Sequence, residues 1–200
     1  MNKKYQIVIF GATGFTGELC VKYMSEKYPD VSIAIAGRNK EKLEMVRSRH
    51  GLSCPIVVAD AFDVEALDKM CQDAEVILST AGPYHKYGSD LVRSCVNAGC
   101  HYVDITGESF WIRDQIEKHH KDAEAKGVRI INACGFDSAP SDLGVFYAVN
   151  KVVGEVESVH CFQAWKGESS GGTMETMFSS VDAKLTKGGL GKFSLNPENT

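Results

Sequence analysis

A glycine-rich turn after a short apolar run carries the first chemical signal in this sequence. The run at residues 7–10, IVIF, leads into GATGFTG, where glycine recurs at every third position. Backbone N–H groups in such a turn, and those of a first helical turn, attract phosphate groups. Gly11 would permit the tight turn, Gly14 the approach of a pyrophosphate, and Gly17 the packing of helix on strand. The predicted phosphate-binding residues are Gly11, Thr13, Gly14, Phe15, Thr16 and Gly17.

The glycine spacing departs from the GxGxxG of the standard dinucleotide fingerprint. A purely structural turn that binds nothing is therefore the alternative interpretation. The position of the turn, between a first strand and a first helix, favours dinucleotide binding.

A cation stands where dinucleotide-binding domains usually carry an acid that reads the ribose. That position lies about twenty residues past the last glycine, and here the sequence is IAIAGRNKEK, with Arg38 and no acid before Glu41. A planar guanidinium suits two-point contact with a phosphate monoester, and Lys40 or Lys42 would add positive charge. The pattern predicts NADP rather than NAD. The alternative is that Arg38 is a solvated arginine at a strand end.

Further residues that could contact the cofactor stand just after the later predicted strands. Asp60 ends the segment IVVAD, where it either reaches the adenine edge or caps the next helix near Asp63. The segment LSTAGPY places small residues where bulk would collide with a cofactor, and Tyr84 or His85 would then overhang the site. The residues predicted to contact the cofactor here are Asp60, Ala81, Gly82, Pro83 and Tyr84.

Apolar runs alternate with amphipathic segments over the first 132 residues. The predicted strands are Gln6–Phe10, Ser32–Ala36, Ile56–Ala59, Val76–Thr80, Tyr102–Ile105 and Val128–Asn132. The predicted helices are Phe15–Lys27, Lys40–His50, Val64–Gln72, Ser89–Ala98 and Ile112–Lys126. Alternation of Val- and Ile-rich strands with helices is typical of an α/β protein. We therefore predict a Rossmann-like, doubly wound parallel sheet whose strand ends bring the candidate residues to one edge.

The regular alternation of predicted strands and helices ends near the C-terminus of the sequence. We predict a helix at Asp142–Lys151, a strand at Glu155–Trp165, and a helix at Thr173–Leu185 with Thr173 as its cap. The tail at 188–200 is polar and glycine-rich. One strand and one helix cannot bury a core of their own. The predicted organisation is a nucleotide-binding domain at 1–150 and the start of a second, mixed α/β domain at 151–200.

Composition excludes several classes of protein. The chain has 200 residues, 44% hydrophobic and 24% charged, which is typical of a globular protein. The formal net charge is −4 and there is no basic run, so nucleic acid is not expected as a partner. No stretch is long and apolar enough to predict a membrane span. The apolar run after MNKK is too short for a secretion signal, so an intracellular, by default cytoplasmic, location is expected.

The cysteine pattern predicts neither a metal site nor a redox motif. Seven cysteines are scattered along the chain without CxxC spacing. We therefore expect buried, reduced thiols and no bound metal. The cysteines stand at positions 20, 54, 71, 95, 100, 134 and 161.

Five motifs in this order resemble the saccharopine dehydrogenase-like oxidoreductases, and the animal branch of that family most of all. They are FGATGFTG, AGR, TAGPYHKYG, YVDITGE and GFDSAPSDLG, and the resemblance runs from about residue 5 to 150. It implies an N-terminal NADP-binding Rossmann domain. It also implies hydride transfer involving an undefined small-molecule or lipid-linked substrate. Gly135, Phe136 and Asp137 would then lie near the nicotinamide.

The resemblance also carries expectations about the rest of the protein. A second domain would cover the cofactor, carry most substrate contacts, and supply the surface for a homodimer. Family members continue well beyond residue 200, so cofactor binding is expected here, whereas turnover by this chain alone stays open. Longer relatives would allow membrane or lipid-droplet association through an apolar C-terminal segment.

No residue stands out as the proton donor, and four are weak candidates: His85, Asp137, Tyr147 and Lys151. His85 and Asp137 follow predicted strands. Tyr147 and Lys151 form the YxxxK pair of short-chain dehydrogenases, in which lysine helps tyrosine to exchange a proton. An atypical short-chain reductase is thus one alternative function. A non-catalytic nucleotide-binding scaffold protein is another.

Overall fold

The computed structural model describes residues 3–164, 166–167 and 171–186 of the chain. The strands are β1 (Tyr5–Phe10), β2 (Ile33–Gly37), β3 (Ile56–Val58), β4 (Ala74–Ser79), β5 (His101–Asp104) and β6 (Ile130–Ile131). The helices are α1 (Phe15–Lys27), α2 (Lys40–Arg49), α3 (Val64–Asp73), α4 (Tyr84–Tyr87), α5 (Ser89–Ala98), α6 (Ser109–Ala125), α7 (Ala139–Val149) and α8 (Gly171–Thr186). Strands and helices alternate as far as α7, as the sequence predicts, except that the short helix α4, which was not predicted, lies between β4 and α5.

The six strands form one parallel sheet in the order β3-β2-β1-β4-β5-β6. The chain winds outward from β1 in one direction and then returns to add β4 on the other side. This order confirms the predicted Rossmann-like, doubly wound α/β fold. The winding reverses between β1 and β4, and a crevice opens there at the carboxyl ends of the strands. Phe10, the last residue of β1, pairs with Ala36 of β2 and Ser79 of β4.

Apolar side chains cover both faces of the sheet. On one face, α1 and α2 bury Val21 and Leu43 against β1 and β2. On the other face, a larger cluster includes Leu67 of α3, Leu91 of α5 and Trp111 of α6, each no more than 2% exposed. Burial of apolar surface stabilises a fold by about 25 cal/mol per Å². These two layers hold the strand ends, and hence the crevice, in a fixed arrangement.

Polar caps fix where the helices that flank the crevice begin. The Asn39 side chain accepts a hydrogen bond from the Lys42 N–H at 2.9 Å and starts α2. The Asp63 side chain accepts from the Ala66 N–H at 3.0 Å and starts α3. Each cap satisfies N–H groups that a helix leaves unpaired at its first turn.

Three sequence-based expectations about the C-terminal part are wrong. The predicted strand 155–165 has no sheet partner among the described residues, and Trp165 lies outside them. Its alternating residues Val156, Val159 and Phe162 are exposed, Phe162 to 93%. A strand forms only beside a neighbour that completes its hydrogen bonds, which alternation alone does not supply. Thr173 lies within α8 instead of capping it, and α7 starts three residues before the predicted Asp142. The polar tail at 188–200 lies outside the described residues.

None of the described helices combines the length and apolar character needed to cross a membrane. The division into domains at 1–150 and 151–200 stays a prediction.

We predict that Gly17→Ala will strongly destabilise the fold. A Cβ atom on Gly17 would lie 2.2 Å from the Gly11 carbonyl oxygen and 2.9 Å from the Ala12 Cα. Backbone atoms cannot give way cheaply, so we expect the free energy of unfolding to fall by about 3 kcal/mol or more. Urea denaturation measures this change.

The matched control is Gly144→Ala in α7, where a Cβ would meet no atom within 4 Å. That variant should gain up to about 1 kcal/mol, because alanine favours helices over glycine. Equal stability of Gly17→Ala and the original chain would show that α1 is free to move away from β1.

Candidate functional site

A cavity of about 810 Å³ lies at the carboxyl edge of the sheet, over the crevice between β1 and β4. The loops after the first five strands line it, and α8 lies across it. Its volume falls in the range of ordinary ligand sites. The predicted cofactor residues that line it are Gly11, Thr13, Gly14, Phe15, Thr16, Arg38, Asp60, Ala81, Gly82 and Tyr84.

The glycine turn presents bare backbone to this cavity. Gly11 has φ of +84°, a left-handed conformation that favours glycine. Gly14 precedes α1 without a side-chain cap, so the first N–H groups of the helix have no side-chain acceptor from this position. A Cβ on Gly14 would approach only the Gly11 oxygen, at 3.4 Å. The first turn of α1 can therefore donate to an anion in the cavity.

The crevice between β1 and β4 is bridged by one hydroxyl. Thr80 Oγ1 lies 3.2 Å from the carbonyl oxygens of both Phe10 and Gly11, which share its one hydrogen. It would also lie 2.8 Å from a Cβ on Gly17. The hydroxyl thus fixes the start of the glycine turn to the end of β4.

Arg38 lies at the opposite side of the cavity from β4, just after β2. Its side chain is exposed and has no hydrogen-bond or ion-pair partner within the described part of the chain. The next acid after Arg38 in the sequence is Glu41. The guanidinium is available to a phosphate group at this end of the cavity.

Asp60 does not cap α3, so one of the two roles considered for it is wrong. Asp63 caps that helix, whereas Asp60 Oδ1 accepts from the Phe62 N–H at 3.0 Å in the preceding turn. Asp60 lines the cavity. Phe62 packs edge-on against Tyr87 with ring centroids 5.5 Å apart, and both rings line the cavity. This aromatic wall was not expected from the sequence, because its two members are far apart along the chain.

A buried carboxylate organises the other end of the cavity. Glu108 has a side chain only 1% exposed, yet it contributes to the cavity wall. It accepts from the Tyr84 N–H at 2.7 Å and from the His85 N–H at 2.8 Å. It also contacts His85 Nδ1 at 2.6 Å. Glu108 therefore caps α4 from a distant part of the chain, a role that the motif YVDITGE did not reveal.

Two further polar groups shape the same end of the cavity. The Tyr84 hydroxyl donates to the Ser79 carbonyl at 3.1 Å, and burial raises its pKa. Asp104 accepts from the N–H groups of Thr106 and Ala133, each at 3.1 Å. Burial raises the pKa of Asp104 as well. Asp104 anchors the loop that follows β6, and Asp137 of that loop lines the cavity.

Several predicted site residues are not among the described residues that line the cavity. Gly17 packs α1 on the turn, and Gly135 packs on Ile105, whose Cβ would lie 3.3 Å from a Cβ on Gly135. Phe136 is 70% exposed. The other predicted residues outside the lining are Pro83, His85, Tyr147 and Lys151.

Tyr147 of the YxxxK pair lies on the exposed helix α7, and Lys151 lies two residues beyond the end of that helix. Tyr147 is 67% exposed, and Lys151 Nζ lies 5.6 Å from the centroid of its ring. The two side chains of the pair therefore lie next to each other. It does not border the cavity described above.

All seven cysteines are free thiols. The expectation that they are buried is wrong for Cys134 and Cys161, which are exposed. Cys71 and Cys95 meet in the core with sulfur atoms 3.6 Å apart. Within the described ranges, no three His, Cys, Asp or Glu side chains are grouped to hold a metal ion.

We predict that Glu108→Gln will destabilise the chain without any ligand present. Both carboxylate oxygens of Glu108 accept hydrogen bonds from N–H groups, but an amide has only one acceptor oxygen. The NH₂ group of Gln would take the place of the second oxygen and leave one N–H donor without an acceptor. The loss should lower the free energy of unfolding by about 2–4 kcal/mol. Urea denaturation measures it, with exposed Glu124→Gln in α6, the helix that Glu108 precedes, as the control. Equal stability of both variants would contradict the capping role.

Comparison with known proteins gives a consistent picture. Residues 7–131 match the family described as the saccharopine dehydrogenase NADP binding domain. A trans-acting enoyl reductase of Mycobacterium leprae (strain TN) is 44% identical over 155 residues, which are 76% of this chain and 37% of that protein. A protein of Mycobacterium tuberculosis (strain ATCC 25618 / H37Rv) named as a trans-acting enoyl reductase is 40% identical over 183 residues, 88% of this chain and 44% of that protein. This chain thus spans less than half the length of either relative.

Among solved structures, an apo saccharopine dehydrogenase (L-Glu forming) from Saccharomyces cerevisiae is similar with a TM-score of 0.63. The match covers 74% of this chain and 31% of that one, at 18% sequence identity. At such low identity, the similarity is one of fold.

Proposed function

The chain belongs to the saccharopine dehydrogenase NADP-binding domain family, and from this premise we propose that it holds NADP(H) for a reductase. The observation that carries the proposal is that two features border one cavity: the start of α1, which has no side-chain cap from Gly14, and Arg38, which has no partner among the described residues. These two features are a pyrophosphate site and a site for an additional phosphate, in the order that NADP requires.

The residues present fit this cofactor. Gly14 and Gly82 leave backbone in place of side chains along the cavity, and the first turn of α1 offers N–H donors. Arg38 would hold the 2′-phosphate through its guanidinium. Asp60 and the Phe62–Tyr87 pair would border the adenine. When bound, NADPH supplies the hydride, and the protein supplies binding, orientation and a proton.

The direction of the cofactor follows from these contacts. With its 2′-phosphate at Arg38, a bound dinucleotide would cross the crevice between β1 and β4, and the loops after β4 and β5 would hold its nicotinamide. Ile105, Phe110 and Tyr84 give this end an apolar wall beside the carboxylate of Glu108. Such a wall excludes water from the reacting atoms and suits an apolar substrate.

We propose an enoyl group, on a small molecule or a lipid-linked carrier, as the substrate class. The names of the two mycobacterial relatives support this choice, as does the apolar wall. We further propose that residues 151–200 begin a second domain that carries most substrate contacts and supplies a homodimer surface. The exposed apolar residues Phe146 of α7 and Phe162, 69% and 93% exposed, support a packing partner for this region.

Arg38→Ala tests the cofactor and its orientation. Removing the guanidinium should weaken NADPH binding about 10- to 100-fold, since hydrogen bonds to charged groups contribute about 1.5–3 kcal/mol. Binding of NADH, which lacks the 2′-phosphate, should stay within about threefold. Titration of the fluorescence of each reduced nucleotide gives both constants. Arg129→Ala, in a separate groove beside β6, is the matched control. Equal weakening of NADPH and NADH would contradict the proposed contact.

The short-chain alternative makes a different prediction about Tyr147. Because its ring is 67% exposed and outside the cavity lining, Tyr147→Phe should leave NADPH affinity and any hydride transfer unchanged within about twofold. A loss of turnover of 100-fold or more, about the size of an acid–base contribution, would favour the short-chain alternative. NADPH binding without oxidation by any enoyl thioester would favour the scaffold alternative.

A further inference from the structure

The contact between Glu108 and His85 links the cavity to the protein exterior. Glu108 forms part of the cavity wall, with its side chain 1% exposed. His85 lies behind it, with Nδ1 at 2.6 Å from Glu108 Oε2 and its ring 12% exposed. The ring also packs on Phe110, which lines the cavity, with centroids 5.6 Å apart. The two side chains thus form a polar path through an apolar wall.

The direction of this hydrogen bond follows from the charge state of Glu108. A carboxylate only accepts hydrogen bonds, so with Glu108 in that state His85 carries a proton on Nδ1. Nδ1–H then donates to Glu108 Oε2, while Nε2 has no hydrogen-bond partner among residues 3–164, 166–167 and 171–186. A carboxylate that fixes the tautomer of an imidazole is a recurring way to position a proton-transfer group.

The other titratable groups near this end of the cavity are less suited to the task. The Tyr84 hydroxyl is already donated to the Ser79 carbonyl. Asp104 is occupied by the N–H groups of Thr106 and Ala133 and by the Asn132 amide. Asp137 and Glu175 border the cavity, but neither is paired with a second titratable group from the described part of the chain. Of the described residues, Glu108 alone combines contact with the cavity and a neighbouring imidazole that can supply a proton.

We propose that Glu108 and His85 form the proton relay of the reductase, with Glu108 as the group that delivers the proton to the substrate. This inference rests on the proposed function. In the reduction of an enoyl group, hydride forms a new C–H bond at the β-carbon and the electron pair of the double bond moves to the α-carbon. Nε2 of the resting Nδ1–H imidazole first takes a proton from solvent. The Nδ1–H bond of the resulting imidazolium breaks as that proton passes to the Glu108 carboxylate, and the carboxyl O–H bond then breaks as the α-carbon takes it.

Solvent outside the cavity restores the starting protonation state of the relay. After the transfer, Glu108 is again a carboxylate and His85 is a neutral imidazole. That imidazole carries its proton on Nε2, and exchange with solvent through the partly exposed ring restores the resting Nδ1–H form. The net change is that one C=C bond, one NADPH and one proton give a saturated C–C bond and NADP⁺, so atoms and charge balance.

The first test does not depend on turnover. ¹⁵N NMR of the histidine-labelled chain reports which imidazole nitrogen carries the proton. We expect the Nδ1–H form for neutral His85, and a change to the usual Nε2–H preference in Glu108→Asp, whose shorter side chain withdraws the oxygen. Exposed His120 on α6 is the internal reference. A neutral His85 with its proton on Nε2 in the original chain would overturn the proposal.

The second test follows the reaction. His85→Gln keeps Glu108 and its two backbone contacts, so NADPH affinity should be unchanged within about twofold. Reduction of the trans-2-decenoyl thioester of N-acetylcysteamine should slow about 100-fold or more, as expected for a lost proton source. The solvent deuterium isotope effect should rise, because proton delivery becomes the slow step. His120→Gln should alter neither value.

The outcomes separate this proposal from the proposed function. Failure of the original chain to bind NADPH would overturn the function and, with it, the relay. Binding of NADPH with equal reduction by His85→Gln and the original chain would overturn the relay and leave the function standing. If NADPH binds but the thioester is not reduced by the original chain, the NMR result decides the relay.

Discussion

The approach of α1 to β1 is the constraint on which the site depends. Gly17 lies so close to the glycine turn that a Cβ there would come within 2.2 Å of the Gly11 oxygen. Thr80 adds hydrogen bonds of 3.2 Å from the end of β4 to the carbonyl oxygens of Phe10 and Gly11. Three elements therefore meet at one point, where the strand order reverses. The first turn of α1 is held over the crevice, with its N–H groups directed at the place where a dinucleotide crosses the sheet.

At the other end of the cavity, the charge of one side chain, Glu108, holds the surrounding elements in place. The buried Glu108 carboxylate receives the N–H groups of Tyr84 and His85 and the His85 imidazole. Removing a carboxylate from water costs several kcal/mol unless donors replace the lost hydration. The same three donors that stabilise the charge also fix the loop after β4. Stability of the wall and control of a proton thus depend on the same side chain.

The region after β6 buries fewer apolar side chains than the sheet does. α7 has no buried residue, and Leu143, Phe146 and Tyr147 are each more than 60% exposed. An apolar helix without a buried face gains little from the hydrophobic effect in this arrangement. α8 nevertheless borders the cavity, through residues such as Thr176. The sheet and its glycine turn are therefore supported by a complete two-layer core, whereas α7 is not.

The sequence by itself determined the parts that depend on local patterns. Alternating apolar and amphipathic segments predicted six strands and five helices of the sheet domain, and the glycine turn and Arg38 predicted an NADP site, because phosphate binding uses neighbouring backbone groups. Tertiary structure decided what depends on distant partners. The pairing of Glu108 with His85 and of Phe62 with Tyr87 arises only when separate loops meet. The predicted strand at 155–165 failed for the same reason, since a strand exists only beside a neighbour that accepts its hydrogen bonds.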